Sequence, residues 1–506
     1  MSKIQGLFVV VVVSLIAIRY LFIPGFLPTH DGEYHLIRFY EFGKMLAAGN
    51  LFPRWAPGLN SGYGVPLFTF FYPLPNYIGS LFHFFGWSLA DSFRLTLAAG
   101  YLLAIVASYL WLRRLYGVFP AVVGSVVGAF TPYWFVDIFV RGSIGEVLAL
   151  GFVFTALSCI GYKKKTLLVL SVAAIILSHN IMAMIFLPIL LLYAWMTDRS
   201  MLRWVVIGAI LTSYFWVPAL MERGYVTGLN TVNYKDHFPE LAQILIPSWG
   251  TGLSGPGYAL DEMSYQIGIV PLMLFVAALV TLKPTLFTWA MAVAFFLMLE
   301  MSAPAWERVP ILTNLQYPWR LLSVVIVAIP ILTATIFSRF RWRLVSIGIV
   351  VLTVVLSFSY TKPVLYDSRP DAYYLSKREF TDGTSSLGNG FSTRWMSWQP
   401  DRPKTRMEII SGEGSVVLEK VHLITDAMVR IHVAYYPGWQ VAVDGKNLSV
   451  YPDAGGMITV PVPKGDHSIV INFGETPFRL AMDIFSMASL IWLIIISPIY
   501  RRAFHR

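Results

Sequence analysis

Long apolar runs separated by short clusters of Lys and Arg dominate the chain up to about residue 360, and one more run lies near the C-terminus. A helix needs about 20 apolar residues to cross the hydrocarbon core of a bilayer. The pattern therefore predicts a polytopic α-helical membrane protein with about 12 spans. The predicted spans are 5–26, 92–112, 118–137, 145–162, 166–178, 181–196, 201–220, 266–282, 285–300, 319–337, 344–360 and 479–498.

The basic clusters all fall on one side of the predicted bundle if these spans alternate in direction. Because cytoplasmic loops are enriched in Lys and Arg, that side is predicted to be the cytoplasm, and both termini lie there. We expect a multi-pass protein of the plasma membrane. The basic positions are Lys3, Arg113, Arg114, Lys163, Lys164, Lys165, Arg199, Arg203, Lys283, Arg339, Arg341, Arg343, Arg501 and Arg502.

The longer polar segments then face the outside, and the first of them is the loop 27–91. Apolar positions with helical spacing over 33–48 predict an amphipathic helix. The later stretch 73–86 is apolar but short and marked by proline, which favours a helix lying on the membrane surface.

The outer segment 361–478 has a different pattern, with short alternating apolar runs punctuated by Gly, Asp and Pro. Asp444 and Gly445 predict a tight hairpin, because both residues tolerate positive φ. We therefore predict a transmembrane domain over 1–360, an extracytoplasmic antiparallel β-sandwich domain over 361–478, and a final transmembrane helix with a cytoplasmic tail over 479–506.

Composition agrees with this division, since 56% of the 506 residues are hydrophobic and only 13% are charged. The net charge of +10 is explained by the topology, so no nucleic-acid partner is expected. The single cysteine, Cys159, allows no intrachain disulfide. The sequence contains no phosphate-binding loop of the ATPase type and no dinucleotide glycine motif, which argues against ATP-driven transport and a nucleotide-sugar site.

Asp31 and Glu33 stand in the motif THDGEYH just after the first predicted span. A carboxylate there can accept a proton from a sugar hydroxyl or hold a divalent cation beside a phosphate. Acidic residues also favour helix N-termini through capping and the helix dipole. The sequence leaves both interpretations open.

Arg141 and Glu146 stand in the motif RGSIGE at the outer boundary of another predicted span. An ionisable group near hydrocarbon is costly and is commonly functional. The alternative is that Glu146 begins a helix and pairs with Arg141.

Three further polar residues lie at predicted outer ends of spans. His179 and Asn180 interrupt the stretch 166–196, which predicts two helices joined by a tight turn. Arg320, in the motif QYPWR, could donate to a lipid-linked phosphate or extend to the headgroups. The cofactor stays open, and one alternative is a divalent cation held by Asp31, Glu146 and His179.

The order of these features resembles the GT-C class of membrane glycosyltransferases, which includes protein O-mannosyltransferases and aminoarabinose transferases. The stretches THDGEYHLIRFYEF and LNSGYGVPLFTFFYPLP resemble the membrane domain described as 6-pyruvoyl-tetrahydropterin-synthase-related. The stretch YYPGWQVAVDGK resembles the C-terminal domain of YfhO-like bacterial membrane proteins. Nothing in the sequence supports pterin chemistry.

The resemblance implies that a sugar passes from a polyprenyl-phosphate donor to a glycan, lipid or protein at the outer face. Asp31 and Glu146 match the two acidic loop positions of the class and are predicted to be catalytic, although many relatives have Asp at the second position. His179 and Arg320 fall where contacts to the donor phosphate are expected. The predicted substrate-binding residues are Glu33, Arg141, His179, Asn180 and Arg320.

Two other functions stay open. A transporter or flippase for lipid-linked glycans would have polar residues near span midpoints and broken helices. A cell-envelope assembly factor, with a β-domain that binds glycan, would not need Asp31 or Glu146.

Overall fold

The structure, a computed structural model, describes residues 1–228, 232–255, 263–340, 342–386, 389–396, 401–417 and 420–496. The predicted cytoplasmic residues Arg341, Arg501 and Arg502 lie outside this part of the chain, as does the rest of the predicted tail.

A bundle of apolar helices forms the larger part of the protein. Two helices, Leu89–Tyr116 and Ile144–Tyr162, pack against each other at its centre. A Cβ added at Gly100 would lie 3.0 Å from the backbone nitrogen of Leu148, so glycine permits this close approach of the two backbones. The other helices long and apolar enough to cross a membrane are Asn180–Thr197, Pro318–Phe340, Arg343–Tyr360 and Pro477–Ile496.

Three further apolar segments are helices that bend sharply, by 49°, 64° and 94°. In the described part of the chain, six helices qualify as spans, or up to nine if each bent pair is one span. Each of the remaining predicted spans contains a shorter apolar helix, so the total of about 12 stays a prediction. The bent pairs are Val118–Ala129 with Pro132–Arg141, Arg199–Leu211 with Ser213–Met221, and Leu286–Met298 with Glu300–Arg308, and the shorter helices are Lys3–Ala17, Lys165–Ser178 and Ile269–Thr281.

The loop 27–91, which is the predicted first outer loop, folds largely as its pattern predicts. The amphipathic helix spans Gly32–Ala47 and buries Leu36 and Phe39 against the bundle. A short helix, Leu67–Phe70, precedes the surface helix Leu74–Phe84.

The C-terminal domain consists of two antiparallel sheets that share one core. The predicted hairpin is present, since Asp444 and Gly445 both have positive φ and Val443 pairs with Lys446. The sheet orders are β1-β4-β8-β7 and β2-β3-β9-β5-β6, where the strands are β1 Met407–Ser411, β2 Gly414–Val417, β3 Lys420–Leu423, β4 Ala427–Ala434, β5 Trp439–Val443, β6 Lys446–Leu448, β7 Tyr451–Pro452, β8 Met457–Val462 and β9 Gly465–Phe473.

Residues 367–386, which we call the strap, precede the first strand and lie across the first outer loop. Two short helices, Asp371–Ser376 and Arg378–Thr381, form its middle. The strap begins with paired backbone bonds between Phe26 and Asp367 and buries Tyr374 against the ring of Phe26. This segment therefore packs on the membrane domain, although the sequence assigns it to the β-rich domain.

A buried ion pair, which we call the latch, fixes the β-domain and the last helix to the bundle. Arg479 donates to both carboxylate oxygens of Glu222 at 2.8 and 2.7 Å, and the Tyr436 hydroxyl donates to the same carboxylate at 2.7 Å. The Arg479 side chain is fully buried. Three distant parts of the chain therefore meet at one carboxylate.

Candidate functional site

The site begins at a π-helical turn, Val136–Arg141, at the end of the first bent helix pair. π-helical turns recur at functional sites, because the extra residue per turn redirects side chains. Here the turn places Asp137 beside Arg141, whose Nη1 donates to Asp137 Oδ1 at 2.5 Å. Gly142 ends the turn in the left-handed region, with φ of 67°.

Glu146 is fully buried and binds two arginines. Arg141 donates to both of its oxygens at 2.8 Å, in the forked geometry that suits a guanidinium and a carboxylate. Arg320 Nε donates to Glu146 Oε1 at 2.9 Å, and the Tyr133 hydroxyl lies 3.3 Å from Oε2. Glu146 therefore joins two cations and has no oxygen left for a general base.

Arg320 is held from a second direction by the segment that precedes it. Its Nη1 donates to the carbonyl of Leu315 at 3.0 Å and to Gln316 Oε1 at 2.8 Å. The guanidinium carbon lies 4.9 Å from the ring centre of Tyr317. Arg320 thus binds inside the protein, and the alternative that it extends to the headgroups is wrong.

The predicted binding residues His179 and Asn180 lie where the helix Lys165–Ser178 meets the helix Asn180–Thr197, and their side chains have different partners. His179 Nε2 lies 3.9 Å from Glu146 Oε1, and its Nδ1 accepts the Met182 backbone N–H at 3.3 Å. His179 therefore caps the N-terminus of the helix Asn180–Thr197 and also lies next to Glu146, which binds both arginines. Asn180 lies away from them and donates to the Phe70 carbonyl at 3.3 Å.

Asp31 lies directly beside this cluster through the backbone. Its N–H donates to the Arg141 carbonyl at 2.9 Å, and the His30 N–H donates to the Val140 carbonyl at 3.0 Å. The Asp31 side chain does not cap the helix Gly32–Ala47, and its half-exposed carboxylate has no hydrogen-bond partner among the described residues. The Asp31 side chain therefore makes no capping hydrogen bond, although its position at the helix N-terminus still suits the helix dipole.

Tyr72 packs on His179 at the edge of the cluster. Its ring centre lies 4.8 Å from that of His179, and a Cβ at Gly145 would meet the ring at 2.6 Å. Burial raises the pKa of the Tyr72 phenol, with smaller upward contributions from Asp31 and Glu146. The Tyr72 phenol is therefore neutral at physiological pH.

Glu33 points to the strap instead of the cluster. Lys377 Nζ donates to Glu33 Oε1 at 2.8 Å, and both side chains are mostly buried. One helical turn later, Arg38 donates to the carbonyl and the hydroxyl of Ser385. The predicted binding residue Glu33 thus attaches the strap to the helix that begins at Asp31.

The predicted cation ligands do not form a metal site. Among the described residues, no group of three or more His, Cys, Asp or Glu side chains is arranged to hold a metal ion. Glu146 is occupied by two arginines, and His179 uses Nδ1 to accept a backbone N–H. The donor set does not fit a divalent cation, so no chemical step is assigned to one.

Sequence reasoning missed Asp137, Tyr133 and Gln316. The predicted span 118–137 ends at Asp137, and the sequence analysis assigns this residue no role. An acidic residue four positions before Arg141 in an otherwise apolar run was the available signal.

Comparison with known families decides the chain's membership. Residues 68–375 match the family described as "6-pyruvoyl-tetrahydropterin synthase related domain; membrane protein". The chain belongs to this family. In this pterin-synthase-related membrane protein, the matched range contains Arg141, Glu146, His179 and Arg320. Asp31 lies before the range begins. Residues 420–485 match the family described as bacterial membrane protein YfhO, which confirms the second predicted resemblance.

Two solved structures have a fold that is distantly similar to that of this pterin-synthase-related membrane protein. ArnT from Cupriavidus metallidurans, bound to undecaprenyl phosphate, is 15% identical with a TM-score of 0.43 over 74% of this chain and 68% of that chain. The arabinofuranosyltransferase AftD from Mycobacteria is 15% identical with a TM-score of 0.44 over 71% of this chain and 27% of that chain. No curated protein matches the chain.

Proposed function

We propose that the protein is a membrane glycosyltransferase that moves a sugar from a polyprenyl-phosphate donor to an extracytoplasmic glycan, lipid or protein. The observation that carries the proposal is the Asp31 carboxylate, which has no hydrogen-bond partner among the described residues and belongs to a segment whose backbone bonds to Val140 and Arg141. In this proposal the protein lies in the plasma membrane with both termini in the cytoplasm. The site and the β-domain then face outward.

The arginines suit the leaving group. When the bond between the sugar and the lipid phosphate breaks, negative charge develops on the phosphate oxygens, and preorganised cations stabilise it. Arg320 has its Nε and Nη1 occupied, whereas its Nη2 has no hydrogen-bond partner among the described residues. Nη2 is therefore the donor that we assign to the phosphate.

Asp31 suits the acceptor. Its carboxylate takes the proton of the incoming hydroxyl as the oxygen bonds to the anomeric carbon and the lipid phosphate departs with the electron pair. In this scheme Glu146 is a positioning residue that holds both arginines, which replaces the catalytic role expected from the sequence. Asp137 supports Arg141 in the same way.

Substitution of Asp31 tests the proposal. Asp31→Asn keeps the shape of the side chain but cannot accept the proton, so transfer should fall by roughly 100-fold or more. The measurement is mass-spectrometric profiling of surface glycans in cells expressing the full-length variant. Asp367→Asn is a matched outer-face control, because the side chain of that half-exposed residue pairs only with Arg369 among the residues that the structure describes. Unchanged glycans in Asp31→Asn cells, at normal expression, would overturn the mechanism.

The broken helices are a specific observation in favour of the transporter alternative. The described residues contain three bent helix pairs, and the first carries Asp137 and Arg141. Reconstitution with a fluorescent polyprenyl phosphate separates the two functions. A flippase moves this lipid between leaflets without an acceptor, whereas the proposed transferase does not.

A further inference from the structure

Gln316 has an unusual backbone conformation next to the site. Its backbone φ is 66°, which lies in the left-handed region. Residues other than Gly, Asn and Asp rarely adopt this backbone conformation. Strained backbone of this kind persists where the surrounding structure enforces it, and it concentrates at ligand-binding and active sites.

The conformation brings two acceptors to the same nitrogen. The carbonyl of Leu315 and the side-chain oxygen of Gln316 both accept from Arg320 Nη1, at 3.0 and 2.8 Å. The Leu315 carbonyl also accepts the Tyr317 N–H at 2.8 Å, which closes the turn. The strained turn is therefore built around the guanidinium that follows it.

Two of the three guanidinium nitrogens are fixed by these contacts and by Glu146. A planar group held at Nε and Nη1 has its orientation determined, so the direction of Nη2 is determined as well. Aromatic faces support this plane, because the guanidinium carbon lies 4.9 Å from the Tyr317 ring centre and 6.0 Å from that of Trp319.

We infer that Gln316 is a positioning residue, whose left-handed turn aims Arg320 Nη2 at the phosphate of the lipid donor. The inference rests on the proposed function, because it needs an anionic ligand at Arg320. It deepens that proposal by assigning a role to a residue outside the acidic motifs.

The test compares two lipids on purified full-length protein in nanodiscs. Undecaprenyl phosphate and undecaprenol have the same tail, so the ratio of their dissociation constants measures recognition of the phosphate alone. Gln316→Gly removes the side-chain acceptor and relieves the left-handed strain. We expect it to bind undecaprenyl phosphate about tenfold more weakly, to bind undecaprenol unchanged, and to unfold at the same or a higher temperature.

A second variant separates the inference from the proposed function. Arg320→Met leaves Glu146 paired with Arg141 and should also lose phosphate recognition. Adding Gln316→Gly to Arg320→Met should then have less than about a twofold further effect, since residues that act through one another are not additive.

Each other outcome has a definite meaning. If Gln316→Gly binds both lipids like the unmodified protein while Arg320→Met loses the phosphate preference, the positioning role is wrong and the phosphate site stands. If Gln316→Gly weakens both lipids equally, its role is structural and the inference is wrong. If Arg320→Met keeps the phosphate preference, the proposed phosphate site fails together with the inference.

Discussion

At the scale of single residues, the site depends on how buried charges are neutralised. Asp137 and Glu146 offset Arg141 and Arg320, and all four side chains are buried. Removing one partner of a buried ion pair leaves an uncompensated charge, which costs far more than the loss of an exposed pair. Glu146 is the most sensitive member, because both arginines depend on it.

We predict that Glu146→Gln lowers the free energy of unfolding by about 3–5 kcal/mol, since two buried guanidinium groups lose their shared carboxylate. Thermal unfolding of the purified protein in detergent measures the effect. Glu307→Gln is the control and should unfold like the unmodified protein, because Glu307 pairs with Lys235 on the exposed surface. A Glu146→Gln protein of normal stability without activity would instead assign Glu146 a direct catalytic role.

The sequence identifies most residues of the site but not their roles. Arg141, Glu146, His179 and Arg320 are singled out by charge near predicted membrane boundaries, and the structure brings these four together. Apolar periodicity cannot show that the Glu146 carboxylate binds two arginines, because Glu146 and Arg320 lie 174 residues apart in the chain. The left-handed turn at Gln316 is equally invisible, since glutamine has no sequence preference for it.

At the scale of elements, apolar periodicity predicts the helices well and their bends poorly. Each bent pair is predicted as one straight span or as a span followed by a loop, although the chain continues as a second helix at an angle. Apolar runs report burial in lipid or protein but not the direction of the helix axis. The β-hairpin at Asp444 is predicted correctly, because its signal is local turn chemistry.

We predict that this hairpin loosens as pH rises. Its hydrogen bond to Asp444 raises the pKa of His467, while the Ser468 N–H, and then His467, lower the pKa of Asp444. The His467 contribution is therefore complete below its unfolded pKa of about 6.5 and disappears as pH climbs through the higher folded value. The Asp444 contribution is lost only as pH falls through the folded pKa, which lies below the unfolded value of about 3.9.

Hydrogen exchange at the Ser468 amide measures the effect, after correction for the intrinsic dependence on pH. Protection should fall as pH rises above about 6.5 and through the raised folded pKa of His467 in the intact protein. His467→Asn removes the titrating group and should flatten the profile. Protection that grows with pH in the unmodified protein would contradict the assignment.

At the scale of the whole molecule, the latch is a buried polar contact that joins the β-domain and the last helix to the membrane domain. The helix Pro477–Ile496 exposes most of its surface, so little apolar packing within the chain secures it. Its first turn nevertheless carries Arg479, which is fully buried against Glu222 and Tyr436. This buried charge pair adds to an apolar cluster in which Trp55 and Tyr63 pack with Tyr436 and Met457 of the β-domain, and to the ion pair between Arg54 and Asp483.

We predict that Arg479→Met frees the β-domain, because Glu222 is left buried without its cation at a cost of roughly 3 kcal/mol or more. Limited proteolysis of the membrane-embedded protein should then cleave between the bundle and the sheets. The double variant Glu222→Gln with Arg479→Met removes both charges and should recover most of the resistance. Equal resistance of the single variant and the unmodified protein would show that other contacts hold the domain.

The strap has a consequence for biosynthesis. Lys377 meets Glu33 across 344 residues, so the ribosome has made nearly all of the membrane helices before the helix at Asp31 receives its cover. Until then that helix lacks its cover in the nascent chain. The surroundings of Asp31 are therefore completed late in translation, and a chain arrested after the helix Arg343–Tyr360 would lack both the strap and the apolar helix Pro477–Ile496.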